Sequence, residues 1–339
     1  MDLRGVIRRV LRALLAALAV ALAAYALWRP GLDRQDGAND RGTNAAWLAH
    51  GWLGDASWFT RNRRDPRRFR DPQALSALAS RLRAHHVTTV YPHLCPAASA
   101  GPAAHDAAAT ERFLDAMEGV RVMPWVGGVY QRSVLVDDAG WRRRFAESVA
   151  RLLREHPRLA GVHLNVEPWP DGDTDMLRLL DALRAALPPG RSLSVAAYPP
   201  PTRWQPDPEI HWSAGYTREV ALRADELAVM MYDTAIVIPK AYESLMVRWT
   251  REVLASAAPA RVLLGVPTYP DEPGAGWHRA WVEDLPHALR GIHAGLGPSA
   301  PSNYQGIAIY AEWETEPQEW SWLRAHFLSP RPVRSPAPP

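Results

Sequence analysis

Between residues 45 and 328, short apolar runs alternate with longer amphipathic stretches, the pattern of repeated strand–helix units around a parallel sheet. The apolar runs predict strands over 45–53, 87–94, 121–126, 161–167, 192–198, 226–232, 261–269 and 306–313. The amphipathic stretches predict helices over 73–85, 107–117, 139–156, 173–187, 241–257, 281–293 and 318–327, with a shorter one over 216–223. Eight strands and eight helices fit a closed (β/α)8 TIM barrel, an α/β fold, better than an open doubly wound sheet. The glycine fingerprint of a dinucleotide site is missing after the first strand.

The chain opens on its most apolar segment. No charge occurs from Ala13 to Trp28, and Val6 to Leu11 carry apolar character across Arg8 and Arg9. A bilayer core needs about 20 mostly apolar residues, which puts this stretch at the short end of a transmembrane helix. Arg4, Arg8, Arg9 and Arg12 lie ahead of it, placing the N-terminus in the cytoplasm and the body outside, periplasmic or extracellular. Small residues around Ala21, Ala23 and Ala26 also suit a signal peptidase. Tyr25, Leu27 and Trp28 carry the apolar run past those sites and favour an uncleaved membrane anchor. Residues 1–28 thus read as cytoplasmic stub and signal anchor, 29–44 as a hydrated linker, 45–328 as the barrel and 329–339 as a disordered Pro-rich tail.

Polar or aromatic residues close nearly every predicted strand: His50 and Trp52, Tyr91 and His93, Trp125, Asn165 and Glu167, Tyr198, Tyr232 and Asp233, Tyr269, then Tyr310, Glu312 and Trp313. In a barrel these ends converge on the one face where active sites form. Composition sharpens that picture in one respect, because 15 tryptophans in 339 residues is a large supply of rings able to stack on sugar faces. Trp125, Trp169 and Trp313 are the candidate stacking platforms, with Tyr198, Tyr269, Tyr310, His93 and His163 as further substrate-lining candidates.

The most informative segment is Gly161-Val-His-Leu-Asn-Val-Glu167. Strand alternation puts His163, Asn165 and Glu167 on one side, with Val162, Leu164 and Val166 turned toward the helices. A carboxylic acid on such a rim, screened by aromatics, has its pKa raised by desolvation and can act as a general acid. The competing role is a carboxylate held in an internal Arg or Tyr network. The second constellation, Met230-Met-Tyr-Asp233, brings Tyr232 and Asp233 to the same mouth, suited to hydrogen-bonding a substrate carbonyl or hydroxyl.

Together these two segments resemble glycoside hydrolase family 18 and its relatives, the chitinases and peptidoglycan hydrolases. That pattern is Asp-x-x-Asp-x-Asp-x-Glu on the fourth strand and Met-x-Tyr-Asp on the sixth. Met230, Tyr232 and Asp233 match the second motif in full; in the first only Glu167 matches, with Ala160, His163 and Asn165 in place of the aspartates. The resemblance implies hydrolysis of an N-acetylhexosamine-containing polysaccharide in which the substrate's own acetamido group is the nucleophile. Glu167 would be the acid/base, Asn165 would orient the acetamido group, and Tyr232 and Asp233 would polarise the intermediate. Asn-x-Glu closing the strand is similar to the endo-β-N-acetylglucosaminidases of family 85. His163 is expected to make a buried hydrogen bond beneath Asn165.

Two other readings stay open. A retaining glycosidase with two enzyme carboxylates would pair Glu167 with Asp271, Glu272, Glu312 or Glu314. The replaced aspartates would also suit a catalytically silent glycan-binding barrel. A catalytic metal has little support, since His50, His93, Cys95 and His163 occur singly and not in ligand pairs. The lone Cys95 excludes an intramolecular disulfide, and no cofactor is implied. A formal charge of +3 with arginine spread along the chain gives no support to a nucleic-acid partner. The partners expected are a glycan and, through the N-terminal helix, a membrane. A C-terminal alkaline phosphatase fusion should be active in a bacterial host; an inactive fusion would overturn the exported topology.

Overall fold

A computed structural model describes residues 3–54, 56–94, 105–271 and 276–330. Helix α1 (Leu3–Leu27) is followed by β1 (Asn44–Leu48), the short α2 (Ala56–Arg61) and α3 (Arg67–Arg70), then α4 (Pro72–Ala84). The first half continues with β2 (Val87–Pro92), α5 (Ala107–Ala116), β3 (Arg121–Val122), β4 (Trp125–Val129) and α6 (Ala139–Glu155). Next come β5 (Gly161–Glu167), α7 (Thr174–Ala186), β6 (Ser192–Ala197), α8 (Ala214–Ala221), β7 (Glu226–Val229) and α9 (Pro239–Ser256). The series closes with β8 (Arg261–Pro267), α10 (Leu285–Leu296), β9 (Tyr304–Tyr310) and α11 (Pro317–His326).

Every strand pairing is parallel, in the order β3-β2-β1-β9-β8-β7-β6-β5-β4. The sequence suggests a single strand over 121–126; in the structure it is broken between β3 and β4. Pro124 sits at the break and has no N–H to give a ladder. The two halves hold opposite edges of the sheet, β3 on β2 and β4 on β5. Bonds from Leu94 N to Trp125 O (2.9 Å), Ala160 N to Val122 O (2.9 Å) and His163 N to Pro124 O (3.0 Å) stitch the seam. The sheet thereby curls into a (β/α)8 barrel.

The helices start where the sequence supplies caps. Asp71, Asp106, Asp138, Asp173 and Asp284 each accept a first-turn backbone N–H ahead of α4, α5, α6, α7 and α10, worth about 1 kcal/mol apiece. Two apolar layers result. Outward-facing residues such as Val162, Leu164 and Val166 pack under the helices. Ala45, Trp47, Tyr91, Met123, Trp125, Ala228, Leu263 and Ala308 fill the barrel itself.

Within α1, Val6–Leu27 is long and apolar enough to cross a membrane, and none of it is buried against protein. Its last carbonyls are capped from the barrel, as Lys240 in α9 donates to Tyr25 O (2.6 Å) and Ala26 O (3.4 Å). The stretch 29–44, expected as a hydrated linker, is instead laid against the barrel. Leu32 N bonds Arg290 O (2.9 Å), Tyr304 Oη donates to Asn39 O (3.0 Å) and the Asn39 amide meets His293 Nδ1 (2.8 Å). Lys240 lies at the end where strands finish and Asn44 where they begin, so this strap runs the barrel's length along α9 and α10. The polar partners it finds there, Arg290, His293 and Tyr304, lie more than 250 residues away in the chain and leave no mark on its own composition. The helices α2 and α3 were also not foreseen, being too short to show a period. Cys95 and Glu272, and the tail beyond 330, lie outside the described residues.

One glycine is required by packing at the site. A Cβ on Gly127, whose φ is +132°, would stand 1.8 Å from the carbonyl oxygen of Asn165 on the neighbouring strand. Gly127→Ala should therefore destabilise the fold by about 1–3 kcal/mol in urea unfolding. Gly215→Ala in α8, where nothing lies within 4 Å, should leave stability level or raise it by up to about 1 kcal/mol. Equal effects at the two positions would refute the close approach.

Candidate active site

Strand β5 runs between β4 and β6 with its even-numbered residues under the helices, so its odd-numbered side chains climb the inside of the barrel. The lowest polar rung is His163, fully buried. Trp47 Nε1 donates to its Nε2 at 3.1 Å, and its Nδ1 meets Ser194 Oγ at 2.9 Å. Because Nε2 accepts, Nδ1 carries the proton. Tyr91 stacks on the ring at 3.9 Å, and burial pushes the imidazole pKa down to about 3, so it stays neutral. With both nitrogens committed below the mouth, His163 is not a substrate-lining residue; the buried hydrogen-bonding role is what the structure gives it.

Asn165 is the next rung, and its Nδ2 donates to Glu167 Oε1 at 2.7 Å. The other amide atom, Oδ1, is buried without a hydrogen-bond partner. Glu167 tops the ladder, open to water on the mouth side and surrounded by protein on the others. That burial raises its carboxyl pKa, the Asn165 bond pulls it part of the way back, and the charge of Asp233 adds to the rise. A carboxyl raised by desolvation is suited to proton donation.

Across the mouth, β7 ends at Val229, and Tyr232 and Asp233 stand just beyond it. Tyr232 stacks on Tyr310 (5.1 Å between centroids), Tyr269 meets both rings edge-on, and Trp313 meets Tyr310 edge-on at 5.8 Å. Tyr198, buried just past the end of β6, has its hydroxyl pKa raised by burial and then by the charges of Glu167 and Asp233. Asp233 has a left-handed backbone, φ +62°, uncommon for a non-glycine residue. Tyr269 Oη donates to its carboxylate at 2.5 Å, and His278 Nδ1 stands 3.6 Å away, a charge pair longer than a hydrogen bond.

His278 and Glu283 are the residues that sequence reasoning missed. They come from the segment between β8 and α10: His278 has no period to mark it, and Glu283 falls in the stretch expected as helix from 281, which in the structure begins only at Leu285. His278 stacks on Tyr269 at 3.9 Å, with its Nδ1 3.8 Å from Glu283 Oε2, a charge pair longer than a hydrogen bond. Burial alone would lower its pKa; Glu283 and Asp233 outweigh that and raise it. Glu283 accepts from Thr234 N (3.1 Å) and Oγ1 (3.0 Å), which pins the residue after Asp233. Among the described residues, Asp233, His278 and Glu283 form one of two clusters with donors close enough to share a metal ion, the other being His105, Glu155 and His156.

The remaining candidates divide. Trp125 and His93 stack at 4.0 Å on the β1–β4 side of the mouth. Trp169 is fully buried, its indole donating to Tyr216 Oη at 2.8 Å and its ring edge-on to Trp212. It is therefore a packing residue and no sugar platform, since no face of its ring is open to a ligand. Glu312 is also buried, turned into the helix layer and paired with Arg81 of α4. Asp271 accepts from Ala280 N at 2.5 Å. The carboxylate whose charge reaches Glu167 is Asp233.

No family model and no curated protein matches the sequence. Among solved structures, the chain superimposes on the spore cortex-lytic enzyme SleL of Bacillus cereus with a TM-score of 0.57 and 12% identity, covering 85% of this chain and 74% of that one. A chitinase from Bacteroides thetaiotaomicron gives 0.52 and 12%, covering 84% and 96%. A fungal endo-β-N-acetylglucosaminidase from glycosyl hydrolase family 18 gives 0.52 and 16%, covering 83% and 96%. At these identities the likeness is one of fold.

A carboxyl whose folded pKa is raised destabilises the fold once it ionises. The cost is absent below the unfolded value and complete above the raised one. Glu167→Gln keeps the acceptor for Asn165 and removes the ionisation. Its melting temperature should exceed the wild type's at neutral pH, and the gap should narrow as pH falls below the raised value and be closed below the ordinary carboxyl value of 4.5. A gap independent of pH would contradict the raised carboxyl.

Proposed function

We propose that this chain is a glycoside hydrolase acting on an N-acetylhexosamine-containing polysaccharide by substrate-assisted acid/base catalysis. The observation that carries this reading is the unpaired, buried Oδ1 of Asn165 beside the raised carboxyl of Glu167. A buried acceptor without a partner costs about 1–3 kcal/mol. An acetamido N–H at the mouth would satisfy it.

In the first step Glu167 donates its proton to the glycosidic oxygen as the C1–O bond breaks, while the acetamido oxygen of the same sugar bonds C1 from the opposite face. The leaving sugar departs as an alcohol and a cyclic oxazolinium remains. Asn165 Oδ1 accepts the acetamido N–H and fixes its orientation. Tyr232 donates its O–H toward the acetamido oxygen, and Asp233 offsets the positive charge. Water then attacks C1, gives its proton to Glu167 and reopens the ring, with retained anomeric configuration. Trp125, Trp313, Tyr198, Tyr269, Tyr310 and His93 are the proposed sugar-lining residues. The protein would act outside the cytoplasm, held to the membrane by α1.

Glu167→Gln should lower turnover of N-acetylglucosamine oligomers by about 10² to 10⁴-fold. Asn165→Ala should be severely impaired, Asn165→Asp should retain or raise activity, and a thiazoline mimic of the cyclised intermediate should inhibit. Efficient cleavage of plain glucosides with indifference to the thiazoline would favour two enzyme carboxylates. Retention on the oligomers without turnover would assign a glycan-binding barrel instead.

A further inference from the structure

Between β1 and α4 the chain carries six arginines within residues 61–70, against the single acid Asp65, in a protein whose formal charge is only +3. Helices α2 and α3 fold this loop over the strand ends. Arg64 and Arg68 thereby line a cavity of about 540 Å³ together with Trp58, Phe69, Trp313 and Glu314. That volume falls within the roughly 300–1,000 Å³ of ordinary ligand sites. Asp65 also reaches the wall, but its carboxylate is taken up by Arg67 at 2.6 Å, which leaves Glu314 on the wall, with the buried Glu312 behind it sharing the charge of Arg68 as well as its partner Arg81.

The cavity's wall is in aromatic contact with residues of the mouth. Trp313 meets Tyr310, which stacks on Tyr232, and the wall residue His93 stacks on Trp125. Trp58 is held parallel to His50 at 4.6 Å and edge-on to Phe69 at 6.3 Å, so its ring is fixed as part of the wall. A glycan running from Glu167 across Trp313 enters a space with aromatic rings for pyranose faces and guanidinium forks for an anion. A wholly neutral glycan would leave those forks to water.

We propose that this cavity is a subsite for a carboxylate-bearing sugar, either a hexuronic acid or a hexosamine with a lactyl ether, with Arg64 and Arg68 pairing the carboxylate. The planar guanidinium matches a carboxylate in two parallel hydrogen bonds. This rests on the glycan reading above and adds the chemical class of the neighbouring residue.

The test is titration calorimetry with the full-length Glu167→Gln protein, which binds without turning over. Three oligosaccharide sets are compared: N-acetylglucosamine oligomers, oligomers alternating N-acetylglucosamine with glucuronic acid, and peptide-free peptidoglycan strands. At least one acidic set should bind about tenfold or more tightly than the neutral one, and the advantage should shrink as salt rises. The set that shows it identifies the source of the carboxylate. Adding Arg64→Gln and Arg68→Gln should abolish the preference, and the two lysine substitutions should restore part of it. Equal affinity for neutral and acidic sets, or a preference that survives the double substitution, would overturn the subsite. Turnover by the wild type is scored separately. Acid preference without turnover would sink the hydrolase and keep the subsite, and turnover without acid preference would do the reverse.

Discussion

Trp47 donates one hydrogen bond to Nε2 of His163, and the inside of the barrel is built around it. The bond fixes the tautomer, so Nδ1–H points at Ser194 and ties β5 to β6. Tyr91 stacks on the same ring and donates to Glu226 Oε1 at 2.7 Å, and Arg121 and Arg261 flank the other oxygen of that buried carboxylate. A buried charge is tolerated only when paired and hydrogen-bonded, and here three side chains share that task. Asn165 and Glu167 stand at the top of this column. A change at Trp47 would therefore reach the mouth, although Trp47 itself lies beneath it.

Two different devices hold the two halves of the mouth. Glu167 ends a strand paired with β6 over Gly161–Leu164 and with β4 from His163 to Glu167 itself, and its position comes from the sheet. Asp233 lies beyond the end of β7, and its position comes from side chains of another loop. Tyr269 and His278 hold its carboxylate, Glu283 holds Thr234, and Ala235 N bonds Trp277 O at 2.7 Å. A left-handed aspartate persists only where its surroundings over-determine it. These contacts provide that.

The difference explains what the sequence disclosed. Alternation along 161–167 was enough to put His163, Asn165 and Glu167 in the barrel, because inward and outward positions on a strand follow a period of two. The buried hydrogen bond expected of His163 beneath Asn165 is what the structure shows, and its depth removes it from the substrate-lining residues. The break at Pro124 left the eight-strand count intact but divided one strand in two. Trp169 was misplaced because its neighbours in space, Trp212 and Tyr216, are more than forty residues away in the chain. His278 went unseen for the same reason, and Glu283, inside the stretch expected as a helix from 281, carried no sign that its partner is Thr234, 49 residues away.

The strap from Arg29 to Asn44 bears on how far the protein can work from a bilayer. Sixteen residues of loose chain would give a leash of about 20–24 Å root-mean-square reach. Docked along α9 and α10, and with Lys240 gripping the end of α1, that leash is taken up. The grip is made at the rim, so with α1 spanning a bilayer the open end of the barrel is held toward the lipid. Whatever ligand that mouth takes would then be met close to the bilayer surface.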